Sequence, residues 1–179
     1  MKNKGLTLIE ILVVMAIIVI ATGIIVIDNS SKEGVDLFNT TNSIRQDISK
    51  AKEMAMSGVG ATLNKAYGIG VWFPGSVDTD GNYYYYIYRN NESTAAPNRG
   101  YDSGDAIIEK VTLPNGISYV RKGSYYGALF TPPTPHVAIC SSATACAGTL
   151  FELYVYKESD KGVTAKYQLV KVNAAGLIE

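Results

Sequence analysis

Glu10 is the only ionisable side chain between Leu6 and Ile27 of this 179-residue chain. It lies where MKNKGLTLIE runs into ILVVMAIIVIATGIIVI. A carboxylate in such apolar surroundings is costly, so its default reading is a functional group with a partner that neutralises it. Two further sets of residues bear on chemistry. Cys140 and Cys146 are the only thiols and bracket Ser141-Ser142-Ala143-Thr144-Ala145, a spacing open either to a disulfide across a hairpin loop or to two free thiols. A ring that short contributes on the order of 2 kcal/mol in the chain-entropy view. Asp78, Asp80 and Asn82 are a weak calcium candidate, because calcium favours several oxygens on one loop. The EF-hand pattern is incomplete, with Gly81 misplaced and no bidentate Glu, and a plain hairpin turn accounts for the same residues. Two thiols and the single His136 are too few for a zinc site. There is no Gly-x-Ser-x-Gly elbow, P-loop, HExxH helix or evidently buried carboxylate pair, so neither enzyme activity nor a cofactor is expected.

The element that must position Glu10 is an apolar helix of about 22 residues, roughly 33 Å long at a rise of about 1.5 Å per residue and sufficient to cross a hydrocarbon core of about 30 Å. Lys2 and Lys4 precede it, and the positive-inside bias places the short tail in the cytoplasm and the rest across the membrane. A secretory signal would have a shorter apolar region of about 7 to 15 residues and an A-x-A-like cleavage site. Ile27-Asp28-Asn29-Ser30 offers none.

Lys4-Gly5-Leu6-Thr7-Leu8-Ile9-Glu10 followed by an unbroken apolar stretch resembles the class III signal of type IV pilins and type II secretion pseudopilins. The resemblance implies cleavage after Gly5 by a membrane prepilin peptidase and methylation of the new N-terminus at Leu6. Phe is the usual residue after the cut, so Leu6 departs from the pattern. Glu10 would then be the acidic residue five positions into the mature chain. Independently of the family, bundling such helices buries a carboxylate and a terminal ammonium, and a neighbouring subunit's amine can neutralise Glu10 and set the register. The alternative is a Glu snorkelling to the cytoplasmic face of a simple anchor.

Without the apolar helix roughly 150 residues remain, enough for one domain with a real core and too few for two. The chain has 16 basic and 16 acidic residues, and without Lys2 and Lys4 the balance is 14 to 16. That implies no polyanionic partner. Residues 28–60 keep a helical period, with Phe38, Ile44, Ile48, Ala51 and Ala55 near one face and Asn42, Arg45, Gln46, Lys50 and Lys52 on the other. Gly58 and Gly60 suit its end. Thr22-Gly23 marks either a weak turn or a close helix contact.

Beyond residue 60 the helical period gives way to Tyr, Val and Ile runs punctuated by Gly, Pro, Asn and Asp, which predicts strands. Expected strands cover 67–73, 83–89, 106–112, 117–121, 128–130, 136–140, 151–158 and 165–172, closing with 176–178. Turns fall at Asp78–Asn82 and at Pro114-Asn115-Gly116, and Pro132, Pro133 and Pro135 mark an edge or loop. Short connections give one antiparallel sheet covered by the helix, an α+β pilin-like fold. Alternation sends Tyr83 and Tyr85 to one face and Tyr84, Tyr86 and Tyr88 to the other, for two-sided packing or for a partner surface. Helix 42–57 and the strands that follow resemble minor pseudopilin H and related minor-pilin heads.

The resulting expectation has a leader at 1–5, a membrane and filament-core helix at 6–27, its amphipathic continuation at 28–60 and a β-rich head at 61–179. By resemblance it is a structural, low-abundance subunit of a type IV pilus or type II secretion pseudopilus. Its partners would be the prepilin peptidase, other pilin or pseudopilin subunits, an inner-membrane assembly platform, and membrane lipid before assembly. It would cross the inner membrane once and end in a periplasmic or extracellular filament. A DNA-binding minor pilin is a second reading. It would want clustered cations, whereas Arg121, Lys122, Lys157, Lys161, Lys166 and Lys171 are scattered among acids. A membrane-anchored binding module that never polymerises is the third.

Overall fold

The computed structural model describes residues 8–58, 68–91, 100–132, 136–142 and 145–179, with side chains described except at 21–33 and 136. Helix α1 spans Leu8–Met56. Eight strands follow: β1 Ile69–Trp72, β2 Tyr84–Arg89, β3 Ala106–Thr112, β4 Ile117–Arg121, β5 Gly127–Thr131, β6 His136–Cys140, β7 Leu150–Lys157 and β8 Gln168–Asn173. Every pairing among them is antiparallel. They form not one sheet but two, ordered β3-β2-β1-β5-β6 and β4-β7-β8. The Pro114–Gly116 turn, closed by the Ile117 N–H on the Pro114 carbonyl at 3.1 Å with Gly116 at φ +80°, carries the chain from β3 in one sheet to β4 in the other. The expected strand at 165–172 begins only at Gln168, because Thr164–Lys166 is a short 3-10 turn. The starts of the first strand at residue 67 and of Pro133 and Pro135 lie outside the described residues.

The chain divides into two compact units, Met1–Asp36 and Leu37–Glu179. Leu37 opens the second because it begins a buried stripe of Leu37, Thr41, Ile44, Ile48, Ala51 and Ala55, spaced alternately four and three residues apart. Phe38 does not join this stripe. It is 56% exposed, since one residue's rotation turns it away and Leu37 takes the inward place. Thr41 stays buried at little cost because its hydroxyl donates to the Leu37 carbonyl at 2.8 Å. Arg45, expected on the solvated face, is half-buried, donating from Nη1 to Asn42 at 3.0 Å and from Nη2 to the Leu169 carbonyl of β8 at 2.8 Å. The helix ends where Gly58 adopts φ +71°. Gly60 lies outside the described residues.

In the head, the helix stripe packs with inner side chains of both sheets: Ile69, Val71, Tyr85, Ile87, Ala128, Phe130, Val137 and Ile139 from one, Tyr119, Phe151, Leu153, Val155, Val170 and Val172 from the other. Phe73, just past β1, sits where the sheets meet, with rings of Tyr85, Tyr119 and Phe151 at centroid distances of 5.0, 5.4 and 5.4 Å. The period-two alternation puts Trp72, Tyr88, Leu129, Ala138 and Cys140 into a second cluster on the outer face of the larger sheet. Gly70 is required there, because a Cβ would lie 2.5 Å from the Tyr88 ring. The expected division of the tyrosines is observed, with Tyr85 in the inner core and Tyr88 in the outer cluster.

Candidate functional site

Glu10 lies in the first described turn of α1. Around it, Leu8, Ile9, Ile11, Leu12, Val13, Val14, Met15, Ile17, Ile18, Val19 and Ile20 are between 50% and 82% exposed. A surface so apolar on every side of a helix belongs against lipid or other protein rather than water. Among the described residues no helix is long and apolar enough to cross a membrane. Gly5 and Leu6 lie outside the described residues.

Asp78 works within its own turn. Its Oδ1 accepts the Asp80 and Asn82 N–H groups at 3.0 and 2.9 Å, Gly81 sits at φ +81°, and the Asp78 N–H returns to the Asn82 carbonyl at 2.9 Å. That is the hairpin geometry available to Asp-Gly, and it commits the best oxygen of the proposed calcium set to backbone donors. Among the described residues no group of three or more His, Cys, Asp or Glu is placed to hold a metal. Cys140 and Cys146 are joined as a disulfide at the end of β6.

The outer face of the larger sheet carries a row of rings. Arg121 lies 3.7 Å over Tyr126, Tyr126 stacks on Trp72 at 5.1 Å, and Trp72 meets Tyr101 at 6.2 Å. Tyr101 meets Tyr86 at 5.3 Å, Tyr86 meets Tyr84 at 5.2 Å, and Lys110 closes the row 4.3 Å over Tyr84. Desolvation within the row, then the Tyr84 hydroxyl, pushes the Tyr86 phenol up to about 12. Only Tyr126 and Trp72 stack face to face, with the remaining ring pairs tilted and the two cations lying over the Tyr126 and Tyr84 rings at the ends of the row. Two of the cations raised by the DNA reading are paired with acids. Lys122 pairs with Glu152 at 2.8 Å and Lys166 with Asp160 at 2.6 Å.

Two ties between helix and head had no sequence signal. The Tyr85 hydroxyl donates to Asp47 at 2.5 Å, and Lys52 donates to the Gly176 carbonyl at 2.8 Å. Both join residues far apart in the chain, and composition and period carry no such pairing.

Residues 1–26 match the family model described as the prokaryotic N-terminal methylation motif. The match supports a pilin-like prepilin signal. Such a signal implies a prepilin peptidase substrate that assembles with other pilins, anchored in a membrane and then part of an external or periplasmic filament. No curated protein and no solved structure matches the chain.

Proposed function

We propose that this protein is a minor structural subunit of a type IV pilus or type II secretion pseudopilus, a substrate of processing rather than an enzyme. In this reading it crosses the membrane once through residues 6–27, is cut between Gly5 and Leu6, and enters the filament through its apolar helix. The observation that carries it is the apolar surface of residues 8–20, exposed on all sides and interrupted only by Glu10, within the methylation-type motif matched at residues 1–26. Lipid covers such a surface before assembly and neighbouring helices cover it afterwards.

The test is the N-terminal mass after co-expression with a prepilin peptidase. The expected product begins at Leu6 and carries one added methyl group. An intact Met1 beside an active peptidase would make the helix a plain anchor and favour the non-polymerising binding module.

Glu10→Ala separates the two readings of the carboxylate. A buried ion pair that loses one partner costs roughly 3–5 kcal/mol, so incorporation into sheared filaments should fall at least about tenfold. Membrane insertion should be unchanged. Wild-type incorporation of the variant would return Glu10 to the snorkelling role.

A further inference from the structure

Pro114-Asn115-Gly116 takes the chain from β3 in one sheet to β4 in the other, and backbone bonds hold it on both sides. Ile117 N–H donates to the Pro114 carbonyl at 3.1 Å, and Glu158 N–H, just past β7, donates to the Gly116 carbonyl at 2.9 Å. Gly116 takes φ +80°, which makes Asn115 and Gly116 the central residues of a turn whose third position needs glycine. All three turn residues are exposed. Among the described residues, neither the Asn115 side chain nor the Gly116 N–H has a hydrogen-bond partner. An asparagine before glycine is open to attack on its own side-chain amide, because glycine has no Cβ to crowd the cyclic imide that forms.

This is the single Asn-Gly pair in the sequence, and comparable positions are held. Gly81 follows Asp80, but its N–H donates to the Asp78 carbonyl at 3.1 Å. Asn173 Oδ1 accepts the Ala175 and Leu177 N–H groups, both at 3.0 Å, and the Ala174 N–H that would have to attack it donates to the Thr149 carbonyl at 3.0 Å. Asn91 Nδ2 donates to the Gly104 carbonyl at 2.9 Å.

We propose that Asn115 is a self-modifying site, whose deamidation through Gly116 loosens the junction between the two sheets as the protein ages. The Gly116 amide nitrogen attacks Asn115 Cγ. An N–Cγ bond forms, the Cγ–Nδ2 bond breaks, and the Gly116 proton leaves with Nδ2 as ammonia. Water then opens the imide. Opening at the N–Cγ bond gives aspartate in the ordinary main chain. Opening at the bond from N to the Asn115 carbonyl carbon leaves the main chain running through Cβ and Cγ, an isoaspartate one backbone atom longer. The added atom lies inside the loop closed by the Ile117–Pro114 bond, so β4 loosens at its start. The site does not depend on how the N-terminus is processed.

The test incubates the full chain in detergent micelles at mildly alkaline pH in water labelled with heavy oxygen, beside the free peptide Leu-Pro-Asn-Gly-Ile-Ser. Peptide mass spectra report where the label enters. Label should enter at residue 115 at least about tenfold faster than at residue 91 or 173, whose amides must first leave their hydrogen bonds. Asn115→Gln, whose longer side chain closes no such ring readily, should stay unlabelled at that position, and label found there would overturn the imide route. Chromatography then separates the isoaspartate fraction. Its Ile117 and Glu158 amides should exchange hydrogen at least about tenfold faster than those of the parent. Asn115→Asp, which adds the charge but keeps the ordinary main chain, should exchange like the parent. An Asn115 that stays intact after the free peptide has converted, or label entering equally fast at residue 173, would overturn the site. An isoaspartate fraction with both amides still protected would overturn the loosening.

Discussion

Phe73→Ala is expected to lower the stability of the head by about 3–5 kcal/mol, the range for deleting a fully buried aromatic ring. Phe73 is completely buried, and the rings around it come from β2, β4 and β7, strands of both sheets. Removing it therefore opens a cavity at the junction of the sheets. Neighbours cannot close it easily, since Tyr85 is held by Asp47 and Tyr119 donates to the Tyr84 carbonyl at 2.8 Å. Phe38→Ala is the matched control. That ring is 56% exposed, and its removal should change stability by no more than about 0.5 kcal/mol. Chemical denaturation followed by Trp72 emission compares the two variants with the parent. Equal midpoints for Phe73→Ala and Phe38→Ala would show that the sheets do not share the core described here.

Alkaline pH should unfold the head steeply. Tyr85, Tyr88 and Tyr119 are buried, and burial is the first cause that raises each phenol above its ordinary range. The Asp47 hydrogen bond adds to it for Tyr85, and the charges of Asp105 and Asp102 add to it for Tyr88. A raised folded-state value means that the unfolded chain gives up its protons first. The stabilisation is thus fully present below an unfolded-state value of about 10 and is lost as pH rises beyond it. Each phenol contributes a slope of about 1.4 kcal/mol per pH unit, so the three together remove about 4 kcal/mol per unit above pH 10. Tyr85→Phe should flatten that slope by about one third. Denaturation midpoints between pH 8 and 11.5, beside tyrosinate absorbance, give the measurement. If all 13 tyrosines ionised near pH 10 in a folded protein, the buried positions assigned here would be wrong.

Much of this architecture could be read from local pattern. Strands rich in Tyr, Val and Ile were bounded by Asp80-Gly81 and Asn115-Gly116, and both glycines adopt the positive φ that such turns need. The period-two alternation alone separates Tyr85 from Tyr88, and the two lie in different clusters. Phe38 was misplaced because a helical stripe is wide enough to accept either of two adjacent apolar residues, and only packing chose Leu37. Arg45 was misplaced because its carbonyl partner on β8 lies 124 residues away.

The sequence by itself determined the N-terminal signal, the lone Glu10 in its apolar helix, the helix-then-strands order and the turn positions. Each of these depends on neighbours a few residues apart, where period and backbone sterics decide. The tertiary structure alone decided that the strands form two sheets, that Phe73 joins them, that a row of ring contacts runs from Arg121 to Lys110, and that Gly148 bridges to Ile139 of β6. Those outcomes depend on which surfaces meet. Strand pairing leaves almost no local trace, because any alternating strand offers the same backbone groups to any partner.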